Sequence, residues 1–242
     1  MSNRYPQGVI SKNVPLSNAG GNNVTGVYSV NDLTADAVLY GQQVQRSLRF
    51  RSSASAYLSR TPAAAGNQKT WTWSGWVKLG ALATETLFSC HDPATVNRYI
   101  QSIDFSSNQI SVFSRYYPST TVYDSTVTTA AVYRDPSAWY HVVVAFDTTQ
   151  ATSTNTVKIY VNGVLATLAA GATYPQYNTN YIINSTNAHA IGRYTYSASQ
   201  YFDGYLSEVT FIDGQALDPT YFGQYGISTG VWQPKKYQGT YG

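Results

Sequence analysis

The 242-residue chain has one cysteine, one methionine and two glutamates, and only 11% of its residues are charged. A single cysteine, Cys90, excludes a disulfide framework and a thiolate metal cluster. Its setting in "TLFSC" is apolar, which suits a small buried hydrophobe rather than a nucleophile. The three histidines, His91, His141 and His189, have no His-x-x-x-His spacing that would suggest zinc. No serine lies in a Gly-x-Ser-x-Gly elbow. No run approaches 18 apolar residues, so no segment is expected to insert in a membrane. The start, "MSNRYPQGVISKNVP", has no apolar core of the secretory kind, so no signal peptide is expected and the protein is expected to be made in a cytoplasm. Net charge is +3, but the basic residues are scattered; "QPKKYQ" and "QRSLRFR" are the nearest approaches to a basic run. A nucleic-acid groove needs basic residues clustered with aromatics, so nucleic acid is not an expected partner.

What the chain does have is 22 tyrosines, 18 glycines and many Thr, Ser, Val and Asn residues. No long stretch of Leu, Glu, Lys and Ala repeats with the helical period, so the fold class is all-β. Residues 1–46 are Gly-, Asn- and Ser-rich and lack strand alternation. "NDLTADAVLYGQQVQ" within them could form a short helix capped by Asn31 or Asp32. Val9, Ile10, Val27, Tyr28 and Leu39 are too apolar for a free linker, so 1–46 reads as an extended arm anchored by these residues on another surface.

From Ser47 onward, short strands alternate with turns. "SLRFR" puts Leu48 and Phe50 on one face. "KTWTWSGWVKLG" puts Trp71, Trp73, Gly75, Val77 and Leu79 together, with Trp76 on the opposite face. "AWYHVVVAFD" is apolar on both faces, as in a central strand covered on both sides. Asn162-Gly163, between Val161 and Val164, fits a type I′ hairpin turn. In "YLSEVTFID", strict alternation groups Tyr205 with Val209 and Phe211, and Leu206 with Glu208, Thr210 and Ile212. After the Asp213-Gly214 turn, Asp218 is a natural N-cap and Pro219 fits the first helical position, with Tyr221 and Phe222 expected to pack back on the sheet.

These pieces, with "TLFSC" and "FDGYLSEVTFIDGQAL", resemble in content and order the laminin-G/pentraxin-like branch of the concanavalin A-like lectin/glucanase superfamily over residues 47–222. The resemblance implies an antiparallel jelly-roll β-sandwich, placed at 47–224, with 225–242 as an extension anchored by Trp232 on the domain or a neighbour. A narrower resemblance links "FDGYLSEVTFIDGQALDPTYFGQ", "TGVWQPKKYQGTYG" and the arm to tail and structural proteins of bacteriophage virions.

Glucanases of the superfamily set acids at alternating positions of one strand, and retaining hydrolysis needs its two carboxyl groups about 5–5.5 Å apart. No Glu-x-Asp-x-Glu occurs here, and Asp203, Asp213 and Asp218 read as turn and cap residues, so no catalytic residue is assigned and no enzyme is expected. Relatives often hold calcium at a loop rim; Asp92, Asp104, Asp124 and Asp203 are oxygen candidates, but no spacing singles them out, so the metal question stays open and no other cofactor is expected. Tyrosine-rich loops supply the binding candidates Tyr116, Tyr117, Tyr123, Tyr177, Arg193, Tyr194 and Tyr196. Such residues serve protein interfaces and glycan recognition alike. The expected role is a virion structural protein, either capsid decoration or cement or a fibre or tail attachment component. It would join other virion proteins through the arm and form a homo-oligomer, with a trimer suiting shells and fibres. The alternative is a receptor-binding lectin for host-surface glycan.

Overall fold

The computed structural model describes residues 44, 46–94, 99–226 and 229–242. The arm anchors and the 31–45 helix expectation lie outside the described residues, apart from Val44 itself. Val44–Phe222 and Tyr237–Gly242 make one compact unit. It is an all-β sandwich of two six-stranded antiparallel sheets, as expected.

The first sheet runs β1 (Leu48–Phe50), β12 (Gly204–Asp213), β3 (Thr70–Leu79), β8 (Tyr140–Asp147), β9 (Val157–Val161) and β10 (Val164–Leu165) in spatial order. The second runs β2 (Leu58–Arg60), β11 (His189–Ile191), β4 (Glu85–His91), β5 (Ile100–Ser106), β6 (Gln109–Tyr116) and β7 (Tyr123–Thr128). Separately, β13 (Gly223–Tyr225) and β14 (Trp232–Pro234) pair as a hairpin, where Trp232 stands edge-on to Tyr225 and close enough to Gly223 that a Cβ there would fall 2.3 Å from Trp232 Cζ2.

The alternating pattern of β3 does what it predicts. Trp71, Trp73, Val77 and Leu79 are buried between the sheets. Trp71 stacks on Phe146 at 4.8 Å, and rings of this size carry much of a core's burial energy. On the outward face, Trp76 stacks on His141, whose Nε2 lies 3.0 Å from Ser74 Oγ. His141 is buried beside the core, and burial pulls its pKa down to about 3, so it stays neutral. The Asn162-Gly163 hairpin has φ of 49° and 83°, and both central residues of a type I′ turn require positive φ.

One strand departs from its alternation. Ser207 pairs with Trp76 and Thr210 with Ser74, so Glu208 and Val209 together face the single residue Gly75. This is a β-bulge, with Glu208 in the left-handed region at φ 49°. The extra residue reverses the parity of β12. Leu206 points into the core before it, and Val209 and Phe211 pack on the core after it. Tyr205, grouped with Val209 and Phe211 by strict alternation, instead lies outside beneath the Arg49 guanidinium, 5.1 Å from its centre. Gly75 is needed opposite the bulge: a Cβ there would fall 2.7 Å from Trp73 Cη2, an atom of a fully buried ring.

The outward face of the first sheet is closed by the end of the same unit. Val143, Ile212, Phe222 and Tyr237 form a second buried cluster, with Phe222 and Tyr237 stacked at 5.2 Å. Asp218 accepts a hydrogen bond from the Thr220 N–H and Pro219 opens the 3-10 turn, as their spacing predicts. Only Phe222 of the expected pair packs back; Tyr221 is exposed.

At one corner, Arg49 Nη2 meets Asp203 Oδ1 at 2.6 Å, while Ser52 donates to Asp203 Oδ2 through its backbone N–H and its hydroxyl. Glu85, at the start of β4, is buried beside Asp203, and its Oε2 has no hydrogen-bond partner among the described residues. Burial first, then the Asp203 charge, pushes its pKa up to about 8 against the opposing pull of the Asp203 backbone and Arg49. Glu85 is therefore protonated in the fold at neutral pH and ionised in the unfolded chain.

Two predictions follow from the bulge and the corner. Gly75→Ala should lower stability by about 1–3 kcal/mol, because the Trp73 ring cannot withdraw, whereas Glu208→Gly should raise it by about 1 kcal/mol by removing left-handed strain. Equal denaturation midpoints for the two variants would refute the bulge account. A buried acid whose folded pKa is raised contributes stability that is complete below the ordinary carboxylate range and is lost as pH climbs through about 8. Glu85→Gln should therefore flatten the fall in melting temperature across that window and melt higher than wild type at alkaline pH. A parallel pH profile for the two proteins would count against a protonated Glu85.

Candidate functional site

The outward face of the second sheet is built from three cross-strand rows. His91, Ile100, Arg115 and Asp124 pair in succession across β4 to β7. Ser89, Ser102, Phe113 and Thr126 form the next row, and Thr86, Asp104, Ser111 and Thr128 the third. Because strand neighbours alternate between faces, the interleaved residues Ile103, Val112 and Val127 lie in the core. The face is thus hydroxyl-rich, with Thr86, Ser89, Ser102 and Ser111 themselves buried, it carries Phe113 and the Arg115–Asp124 ion pair, and it backs directly on the apolar core.

A strap from Arg193 to Gln200 crosses this face. Ser89 Oγ donates to the Arg193 carbonyl and accepts from the Thr195 N–H, and Thr86 N–H donates to the Gln200 carbonyl. The Tyr194 N–H bonds the Ser199 carbonyl, closing the strap on itself. Its two tyrosines, Tyr194 and Tyr196, stand at 71° with ring centres 6.2 Å apart. Tyr196 is edge-on to His91 at 5.9 Å. Burial first, then the charge of Asp104, pushes the Tyr194 hydroxyl up to about 12, so it remains a proton donor.

On the floor, Arg115 holds Asp124 with a two-pronged contact, Nε to Oδ1 and Nη2 to Oδ2, each 2.7 Å. The Arg115 guanidinium also lies 5.7 Å from the Phe113 ring centre. Asp104 is buried and accepts from Thr86 Oγ1 at 2.6 Å and Ser102 Oγ at 2.5 Å. Desolvation outweighs these bonds and raises its pKa to about 6.

The structure divides the sequence candidates. Tyr194 and Tyr196 reach the open face, and Arg193 sits beside it, its guanidinium 4.0 Å from the Tyr57 ring centre. Tyr116 turns inward: it packs against the core in a chain of rings with Tyr99, Tyr123 and Tyr181. Tyr117 follows it at the end of β6, half-buried. Tyr177 is exposed on another loop, which is pinned by the Asn178 N–H to the Thr148 carbonyl and by Lys69 to Asn178. The tyrosine-rich loops therefore do not form one surface. Sequence reading missed His91, Phe113 and Arg115, because they come together only through strand register. The outward parity of Phe113 and Arg115 in "ISVFSRY" was the available signal.

The carboxylates are likewise dispersed. Glu208 is exposed on the bulge of the first sheet and Glu85 is buried at the Asp203 corner. Asp203 is held by Arg49 and Ser52, Asp124 by Arg115, and Asp92 caps the turn after β4 through the Ala94 N–H. Among the described residues, no group of three His, Cys, Asp or Glu side chains could hold a metal ion. With Asp104 held by Thr86 and Ser102, the candidates Asp92, Asp104, Asp124 and Asp203 each have separate partners and do not fit a shared calcium site. His91 ends β4, and His189 is buried, with Nε2 accepting from the Asn184 N–H and Nδ1 donating to the Asn187 carbonyl.

Several solved structures are similar to the chain at a distance. A heptameric SAP-like pentraxin from Limulus polyphemus is 16% identical, with a TM-score of 0.48 over 71% of this chain and 76% of that one. Domain 4 of an extracellular arabinanase from Geobacillus stearothermophilus, solved with arabinotriose, is 22% identical, with a TM-score of 0.45 over 64% and 65%. The enzymatically active domain of tailspike protein 2 of bacteriophage CBA120 is 8% identical, with a TM-score of 0.48 over 73% of this chain and 26% of that one. No curated protein matches the chain. A family model covers residues 52–220, from the turn after β1 to the 3-10 turn after β12, and by that match the chain belongs to the concanavalin A-like lectin/glucanases superfamily.

Proposed function

We propose that the protein is a non-enzymatic structural component of a bacteriophage virion, assembled in the host cytoplasm, with a lectin-type sandwich directed outward and residues 1–46 engaging other virion proteins. The observation that carries this reading is the position of the segment resembling phage structural proteins. Phe202 lies in the main core, and Ile212, Phe222 and Tyr237 build the second cluster. The resemblance thus falls on residues the sandwich needs and not on a detachable tag. The non-enzymatic part is supported by Asp104 and Asp124, the carboxylates of the open face, whose oxygens are already taken by hydroxyls and by Arg115. Homo-oligomerisation, as a trimer on a shell or fibre, belongs to the same proposal. A second reading, a receptor-binding lectin, is favoured by Tyr194 and Tyr196 standing over a polar face.

The test uses purified particles lacking this component. Full-length protein should bind them saturably. A 47–242 fragment, and a full-length variant with Val9, Ile10, Val27, Tyr28 and Leu39 all replaced by Ser, should remain folded and fail to bind. Normal incorporation of either would remove the arm from the proposal. Failure of the wild type to bind would remove the virion role.

A further inference from the structure

We propose that the lateral edge of the sandwich formed by β1 and β2 docks an acidic segment of another virion protein, with Arg46, Arg51 and Arg60 taking its carboxylates and Tyr57 and Leu58 its apolar side chains. This rests on the virion reading above and names the chemistry of one partner.

The basic residues that look scattered along the chain are gathered by the fold. β1 and β2 each end their sheet, and only residues 51–57 join them, so both lie on one lateral side. Ser52 bonded to Asp203, and the Phe50 ring lying against Gly192, tie that side together. Five of the nine arginines stand here: Arg46, Arg49, Arg51, Arg60 and Arg193. Arg46 is placed by its carbonyl, which accepts from the Ser207 hydroxyl of β12. Arg49 is spent, because it donates to Asp203 and to the Phe50 and Gly204 carbonyls. Arg46, Arg51 and Arg60 are exposed, and their side chains make no hydrogen bond or ion pair among the described residues.

The local acids do not balance these charges. Asp203 is held by Arg49 and Ser52. Glu85 behind it is buried, and with its pKa pushed up to about 8 it keeps its proton at neutral pH. Glu208 is exposed two positions past Leu206, where the pairing with β1 ends. Three unpaired guanidiniums therefore meet one free carboxylate, and a guanidinium fork matches a carboxylate on a partner in two-pronged fashion.

The apolar content separates a protein partner from other polyanions. Leu58 is 49% exposed and Tyr57 41%, with Leu48 and Tyr205 exposed beside Arg49. Arg193 lies 4.0 Å from the Tyr57 ring centre, Tyr57 meets Tyr201 at 6.3 Å, and Arg49 lies over Tyr205, so the rings are held in place before a partner arrives. Residues 46–60 hold four arginines and no lysine. Arginine and tyrosine enriched and lysine depleted is the composition of protein interfaces. A phosphate backbone has nothing to offer Leu48 and Leu58, and the faces of Tyr57 and Tyr205 that a base would stack on are partly covered by guanidiniums. Protection of the sheet edge does not account for the cluster, since strands of three residues are already too short to template pairing.

The probe is a labelled peptide of alternating Glu and Val, about 12 residues long so that it spans roughly 40 Å when extended. It is titrated against the full-length protein beside its Lys-Val counterpart and a single-stranded oligonucleotide of equal negative charge. The acidic peptide should bind, and lose roughly 10-fold in affinity between about 0.05 and about 0.5 M NaCl, because exposed charges are screened. Arg51→Glu/Arg60→Glu should weaken it roughly 10-fold or more, and Leu58→Ser roughly 5-fold. Arg134→Glu/Lys158→Glu, which changes net charge equally on the loop before β8 and on β9, should leave binding unchanged. Should the first variant melt below wild type, Arg51→Gln/Arg60→Gln removes the charge without reversing it and should weaken binding in its place. Tighter binding of the oligonucleotide, no preference over the Lys-Val peptide, or equal loss in the two charge-reversed variants would each overturn the proposal. So would a drop in oligomeric mass in Arg51→Glu/Arg60→Glu with no peptide binding by the wild type, which would give the edge to a second copy. Peptide binding by a protein that virions do not carry would sink the virion role and leave the acid-binding edge standing. Normal incorporation of Arg51→Glu/Arg60→Glu into virions would sink this edge alone.

Discussion

The extra residue in β12 governs both faces of the first sheet. Without it, strict alternation would carry Tyr205, Val209 and Phe211 to one side and Leu206 and Ile212 to the other. With Glu208 and Val209 sharing Gly75, Leu206, Val209 and Phe211 all enter the main core, and Ile212 is released outward to meet Val143, Phe222 and Tyr237. One strand thereby contributes to two apolar clusters. The cost is local: left-handed backbone at Glu208 and a position opposite where only glycine avoids the Trp73 ring. That cost is small beside the aromatic burial it allows.

The first sheet shows which signals a sequence carries well. The β3 and β8 patterns, the Asn162-Gly163 turn and the Asp218-Pro219 cap were all legible, because each depends on residues a few positions apart with one dominant physical preference. The bulge was not legible. Glutamate has no preference for positive φ, and nothing local in "YLSEVTF" distinguishes a bulged strand from a regular one. The same limit explains the candidate site. Tyrosine-rich loops were visible as composition, but the inward turn of Tyr116 depends on its parity in β6, one position beyond outward-facing Arg115. Strand register, which puts His91 in the same row as Asp124, is a long-range property that no short window contains.

A chain poor in charge must satisfy its buried polar groups by other means, and here hydroxyls do much of that work. Ser89 ties the strap to β4, Thr72 accepts from the Leu217 N–H and donates to the Gln215 carbonyl, and Ser207 donates to the Arg46 carbonyl. Hydroxyls serve as donor and acceptor at once and are cheap to bury when both functions are met. This choice has an electrostatic consequence. The few charges that remain stand out, and the exposed pair Arg115 and Asp124 is one of two salt bridges among the described residues.

The contrast between the two outward faces follows from how the chain ends. Residues after β12 turn back over the first sheet, where Phe222 stacks on Tyr237 and the Tyr237 hydroxyl donates to the Thr240 carbonyl. That face is closed by apolar contacts. The second sheet is crossed only by the Arg193–Gln200 strap, held by hydrogen bonds to Ser89 and Thr86 and not by an apolar cluster. A face closed by burial is built for stability, whereas the second keeps the hydroxyls of Thr86, Ser89, Ser102 and Ser111 covered and leaves the Arg115–Asp124 pair, Thr126 and Tyr196 in contact with solvent.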